Sequence, residues 1–281
     1  MNLKTVLAYL PSEELAEPVL KGAVALAKAH EAHVVGLHLE ASYYPAYGEV
    51  AIAMPPDVIE QMRKPLRERA KKLEESFKKR MAEENISSEW RSGTTEYSTL
   101  PGRIVEEAVS ADMVLCPQVE PENVDVTTLD LPERLILEGG RPVLVVPPEK
   151  DVQIPPKRVL IAWNNSPQSA RAVFDSLDLM KDAEAITVLT LAGNADERRA
   201  AEEHANNLAA NLGRHGLKSK VEAVEIGNTS ASDYLASRVD EDGADLMVMG
   251  CYGHSRFREL VFGGVTRDML GGIKVPTVMS H

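Results

Sequence analysis

Short apolar runs alternate along this chain with stretches in which apolar residues recur every three or four positions. Alternation of these two periods predicts strands followed by helices. Lys4-Thr-Val-Leu-Ala-Tyr9 reads as a first strand. Beyond Leu10-Pro-Ser12, the residues Leu15, Val19, Ala23, Leu26 and Ala27 share one helical face through residue 30, with Glu and Lys opposite. His33 to Leu39 predicts a second strand, Val58 to Glu84 a long charged helix, and Ser87 to Tyr97 a third strand. A helix over Gly102 to Ser110, a strand over Met113 to Cys116 and a short helix around Glu133 to Leu137 lead into the strand Pro142 to Pro147.

The plan then starts again. Lys157 to Trp163 is a strand and again runs towards a serine, Ser166. A helix over Gln168 to Met180, a strand over Ala185 to Leu191, a helix over Asp196 to Leu212 and a strand over Lys218 to Ile226 follow. The helix Ala231 to Val239, the strand Leu246 to Met249, a short helix over Val265 to Leu270 and the strand Val275 to Met279 complete the second copy. Ala111-Asp-Met-Val-Leu corresponds to Ala244-Asp-Leu-Met-Val, and Pro142-Val-Leu-Val-Val to Pro276-Thr-Val-Met-Ser. These matches share one offset to within a residue. The first strands lie about twenty residues further apart, which places an insertion between the second strand and second helix of the first copy. Pro147-Pro148 to Pro155-Pro156, with Glu and Lys between the pairs, reads as a linker.

Strand–helix alternation implies right-handed crossovers and parallel sheets covered on both faces. The expected fold class is therefore α/β: two tandem, doubly wound, five-stranded parallel-sheet domains, residues 1–148 and 149–281. Their last strands, Pro142–Val146 and Pro276–Met279, are expected to pair and so hide exposed edges.

Composition removes several function classes. An apolar content of 44% against 26% charged suits a globular protein. A formal net charge of −12 opposes a nucleic-acid surface. No run approaches the roughly 20 apolar residues of a membrane helix, and the first residues are not expected to act as a secretory signal. With two cysteines, Cys116 and Cys251, a reducing cytoplasm is the expected location.

Candidate chemistry concentrates in Gly250 to Thr266, GCYGHSRFRELVFGGVT, between a strand and a helix. Glycines there allow close backbone approach, and free N–H groups at a helix start favour an anion, above all a phosphate chain. In the first copy the corresponding stretch has no glycine until Gly139 and carries Glu120, Glu122, Asp125 and Asp130, which repel an anion. Counting back from Ser12 and Ser166, Leu10 stands where Asn164 stands.

Gly250, Gly253 and Gly263 at this spacing, followed by Gly264-Val265-Thr266, make the chain resemble the universal stress protein family in its tandem two-domain form. The resemblance implies a stress-response or signalling module that binds ATP or another adenine nucleotide, with Mg²⁺ as a possible companion, in the second domain only. It places phosphates at Gly253, Gly263, Gly264, Val265 and the Thr266 hydroxyl, ribose beside Met249 and Gly250, and adenine against Ala162, Trp163 and Asn164. His254 adds a donor to the loop, and Arg256 or Arg258 either clamps a terminal phosphate or is solvated or paired with Glu259 and a neighbouring chain. Two positions depart from the family pattern: Asn164 replaces an Asp, and Gly264 a hydroxyl residue.

Several residues admit two readings. Trp163 either stacks on a base or fills the pocket. Cys251 is either a reactive thiol or a small packed residue. Ser255 lacks the closing glycine of a nucleophile elbow. His33 and His38 fall on opposite faces of a strand, so no metal site is expected. The insertion residues Tyr43, Tyr44, Tyr47, Ile52 and Met54 either pack on their own domain or form a lid or dimer contact. No Lys lies in the loop, which favours binding over turnover. The expected function is thus a nucleotide-binding module, with a homodimer and an unidentified protein as partners. The rivals are a slow Mg-dependent ATPase assisted by His254 or Arg256, and a degenerate interaction module that binds no nucleotide.

Overall fold

A computed structural model describes residues 3–42, 56–118, 131–227, 229–251 and 264–281. The first half contributes β1 (Thr5–Tyr9), α1 (Glu13–His30), β2 (His33–Ser42), α2 (Pro56–Glu83), β3 (Ser88–Glu96), α3 (Leu100–Ala108), β4 (Met113–Pro117), α4 (Leu131–Glu138) and β5 (Val143–Val146). The second half contributes β6 (Arg158–Ala162), α5 (Pro167–Asp175), β7 (Ala185–Ala192), α6 (Ala195–Arg214), β8 (Ser219–Glu225), α7 (Ala231–Asp242), β9 (Leu246–Gly250), α8 (Gly264–Gly271) and β10 (Thr277–Ser280).

The ten strands of the described residues form one sheet, in the order β3-β2-β1-β4-β5-β10-β9-β6-β7-β8. Neighbours within each half are parallel, as the crossover helices require. The halves meet where β5 and β10 pair antiparallel, Thr277 opposite Val145, Val278 opposite Leu144 and Met279 opposite Val143. This is the expected edge pairing. It gives both last strands a neighbour on each side.

Side chains alternate across the sheet, so the apolar core divides by face. One cluster unites Val6, Ala8 and Leu10 with α1, α2, α5 and α6, and includes Leu144 and Val278 from the two sides of the junction. The other joins Leu7 and Tyr9 to α3, α4, α7 and α8, and includes Val143, Val145 and Met279. Each core therefore crosses the boundary between the halves.

The paired Ala-Asp motifs acquire a structural role at the strand starts. The Asp112 carboxylate accepts from the amides of Lys4 and Thr5 at 2.8 and 2.9 Å. Asp245 does the same for Lys157 and Arg158, both at 2.8 Å. Each ties the fourth strand of its half to the first, at the end opposite the candidate site.

Two expectations about local structure change. The proline-rich connection reads as a spacer, yet Val152 is buried in the core cluster and Asp151 pairs with Lys21 at 2.8 Å. Gly22 on α1 lies so close that an added Cβ would meet Val152 Cγ2 at 2.8 Å. The helix expected to reach Met180 stops at Asp175, and Ser176 to Met180 winds on as turns, with Leu179 and Met180 donating to the Ser176 carbonyl. Part of the insertion is taken up by α2, 28 residues long against 20 in α6. Tyr43, Tyr44, Tyr47, Ile52 and Met54 lie outside the described residues, as do Glu120, Glu122, Asp125 and Asp130.

Both thiols are buried, and burial pushes that of Cys116 up to about 12. In native protein at pH 7 to 8 neither cysteine is expected to react with a thiol reagent, whereas both react in denaturant. Rapid native labelling of either would contradict the packing. A stabilising change is also available at Gly213, an exposed residue of α6 around which a Cβ meets nothing within 4 Å. Gly213→Ala is expected to raise stability by about 0.4–1 kcal/mol, seen as a higher denaturation midpoint.

Candidate functional site

Strand order reverses between β6 and β9, because the chain leaves β6 towards β7 on one side and returns to β9 on the other. Crevices at the carboxyl ends of such strands are where ligands enter doubly wound sheets. Met249 pairs with Ala162 at this end. Trp163 continues β6 by donating its amide to the Leu189 carbonyl at 2.8 Å. Asn164 and Asn165 then turn the chain into α5, Asn165 at φ 57, a left-handed conformation that Asn tolerates better than most residues.

The turn is held by a small polar network. Ser166 Oγ accepts from the Ser169 amide at 3.1 Å, while Ser169 Oγ accepts from the Ser166 amide at 3.1 Å, closing a capping box. Asn164 Oδ1 accepts from the Ser166 amide at 3.2 Å and from its hydroxyl at 2.7 Å. These bonds have a consequence for anion binding. Pro167 has no N–H, and the amides of Ser166 and Ser169 already have partners. The start of α5 thus has little donor capacity left for a phosphate.

Gly250, at the end of β9, packs directly against that helix start. An added Cβ would lie 2.6 Å from Ser169 Cα and closer still to Ser169 N and the Gln168 carbonyl carbon. Only glycine fits. Across the crossover, α8 begins at Gly264 and includes Val265 and Thr266; Thr266 is buried, and no acidic residue stands in the first turn. That helix start, unlike that of α5, carries no proline, and like it no carboxylate.

The expected site residues divide accordingly. Ala162, Asn164, Gly250, Gly264, Val265 and Thr266 belong to the ends of β6 and β9 or the start of α8. Met249 is buried among core residues and register-paired on both sides, with Ala162 and Met279, so it belongs to the core. Trp163 is 8% exposed and sits in the core cluster, so it fills space; its Nε1 is buried without a partner. Gln168 Oε1, unremarked in the sequence, is also buried and unpartnered. Gly253, His254, Gly263, Arg256, Arg258 and Ser255 lie outside the described residues. Cys251 is a packed residue, its amide bonded to the Ser280 carbonyl at 2.9 Å.

The equivalence of Leu10 and Asn164 needs correction. Leu10 donates to the Leu37 carbonyl at 2.9 Å, the bond that Trp163 makes to Leu189, and both side chains are buried. Leu10 is the counterpart of Trp163. The second half has one more residue between strand and cap, and counting back from the serines could not reveal it.

In the first half the corresponding corner is differently furnished. Pro117 occupies the place of Gly250, judged by strand register. The first turn of α1 carries Glu13 and Glu14. The Glu14 carboxyl is held below its ordinary range, chiefly by its own backbone amide and by the Ser12 hydroxyl. Pro132 and Glu133 stand at the start of α4. His38, buried on β2, takes the Leu10 carbonyl at 2.7 Å through Nδ1 and lies 3.2 Å from Glu40 through Nε2; Glu40 in turn is 3.5 Å from Arg69. His33, as its alternate position predicts, is not buried with it and meets Ser87 Oγ at 2.8 Å. Among the described residues no cluster of His, Cys, Asp or Glu could hold a metal ion, and no helix is long and apolar enough to cross a membrane.

The sequence model of the universal stress protein family matches residues 156–281. The chain is similar in fold to the crystal structure of a universal stress protein from Archaeoglobus fulgidus DSM 4304, with TM-score 0.73 and 12% identity over 100% of this chain and 99% of that one. It is also similar to a putative universal stress protein from Pseudomonas aeruginosa UCBPP-PA14, with TM-score 0.58 and 13% identity over 99% and 93%. A comparison with curated protein sequences finds no match.

Proposed function

Because residues 156–281 form a universal stress protein domain and the whole chain has the fold of such proteins, we propose a nucleotide-binding stress-response or signalling module whose site lies in the second half. The expected ligand is ATP or another adenine nucleotide. The observation that supports this most is the asymmetry of the two switch-point corners. In the second half a glycine with no room for a Cβ ends β9, and α8 starts without carboxylate or proline. In the first half Pro117, Glu13, Glu14 and Glu133 stand at the matching places.

Phosphates would meet the start of α8 and the glycines Gly253 and Gly263, with Thr266 as a further hydroxyl. The rest of the nucleotide would reach across β9 towards Ala162 and Asn164. A Mg²⁺ accompanying it would be carried by the phosphates themselves. Binding would change the surface that residues 250–264 offer to a protein partner in the cytoplasm. A homodimer would have to use surfaces other than β5 and β10, whose edges are already paired.

Calorimetry with ATP tests the reading. Wild type is expected to bind at up to millimolar nucleotide, and Gly263→Val to lose binding by at least about tenfold through the lost close approach of backbone to phosphate. Absence of heat and of thermal stabilisation in wild type at millimolar ATP would reject it. Incubation with labelled ATP should return intact nucleotide; steady turnover abolished by His254→Ala would make the protein an ATPase instead.

A further inference from the structure

We infer that Asn164 makes this site read a base through an acceptor atom on the ligand, so that nucleotides of 6-oxo purines are ligands of the same pocket as ATP. The inference rests on the nucleotide reading above and adds the class of base.

The argument starts from which end of the Asn164 amide is free. A backbone N–H and a hydroxyl, both from Ser166, point at one atom of that amide, at 3.2 and 2.7 Å. A backbone N–H can only donate, so the atom it meets is Oδ1, and the assignment does not depend on judging the amide's orientation. Oδ1 is thereby committed to the turn. The Nδ2 group has no protein partner, and the residue is exposed at the mouth between β6 and β9. Asn164 therefore offers the crevice two N–H donors and no acceptor.

A carboxylate at this position would do the opposite. Its first oxygen could hold Ser166 just as Oδ1 does, and its second would accept from an amino group. The exocyclic amine of adenine is a donor, whereas N1 and N7 of adenine are acceptors; a 6-oxo purine keeps N7, replaces the amine by the acceptor O6 and carries a proton on N1. With Nδ2 outward, adenine is held through a ring nitrogen and its amine brings no advantage at this residue. The adjacent Trp163 Nε1 is buried in the core and takes no part in reading the base. Gln168 Oε1, the other unpartnered atom here, belongs to an amide that can present either end and so selects neither base.

The test compares ATP with ITP, which differ in the base at the 6-position and the proton on N1, by calorimetry on the full chain and on Asn164→Asp. The substitution keeps the oxygen that caps Ser166 and turns the outward group from donor to acceptor. Any general repulsion of phosphate by the new charge cancels in the ATP-to-ITP ratio. Wild type is expected to bind the two within about threefold, and Asn164→Asp to favour ATP by about tenfold more than wild type does, the scale of one hydrogen bond gained or lost. A wild-type preference for ATP above about tenfold overturns the inference, and is read without any substitution. So does an unchanged ratio in a folded Asn164→Asp protein, verified by its melting curve. In both cases the nucleotide reading stands. If neither nucleotide binds to wild type, the inference and the proposed function fall together.

Discussion

Gly250→Ala is expected to destabilise the protein by about 3 kcal/mol, at the upper end of what overpacking costs. A methyl group at this position meets Ser169 and Gln168 backbone, which cannot rotate away as a side chain would. Relief requires the start of α5 to move, and with it the Ser166–Ser169 capping box and the buried Ala172 and Val173. Gly271→Ala supplies the control, because a Cβ there meets nothing within 4 Å; its effect should stay within about 0.5 kcal/mol. Urea midpoints of the two variants measure the difference. If Gly250→Ala matches wild type, the close approach of β9 to α5 is not a constraint on this protein.

Val278→Asp is expected to cost more, about 4 kcal/mol or above. Val278 is fully buried at the antiparallel junction opposite Leu144. An unpaired carboxylate there would be desolvated with no partner for its oxygens. The consequences should reach both halves, because the core on each face of the sheet runs across this junction. Wild type is accordingly expected to unfold in one cooperative transition. The two tryptophans allow that to be measured, since Trp90 reports on the first half and Trp163 on the second. Single-tryptophan variants Trp90→Phe and Trp163→Phe should give coincident midpoints, and Val278→Asp should lower both together. Two separated transitions in wild type would mean that the halves fold as independent units.

The order of strands and helices was legible because both periods are strong here, and because the second copy repeats the first. Pairing of the last strands followed from the family resemblance together with the tendency of exposed edges to find a partner. The glycine loop stood out as a candidate phosphate cradle for a different reason. Close backbone approach demands glycine, and the requirement appears directly as residue type.

Other features left no trace in the pattern. The one-residue offset between Leu10 and Asn164 was hidden because the cap serines align while the turns before them differ in length, and a left-handed Asn165 takes up the difference. The linker resembles a spacer in composition, yet a single valine, Val152, fastens it to α1 at a glycine. Trp163 could have been a base-stacking residue; only the packing shows that its ring fills the core. His38 reads in the sequence only as the opposite-face neighbour of His33; its contact with the Leu10 carbonyl joins segments distant in the chain.

By itself, then, the sequence determined the α/β plan, its duplication and the confinement of the glycine loop to one half, because these depend on local periodicity and on residue types that no other residue can replace. Tertiary structure alone decided that the cores are shared across the join of the two sheets, that Gly250 is indispensable to α5, and that Asn164 turns its donors outward. Each of those depends on which atoms meet across distant parts of the chain, and contacts between distant segments leave no periodic signature along it.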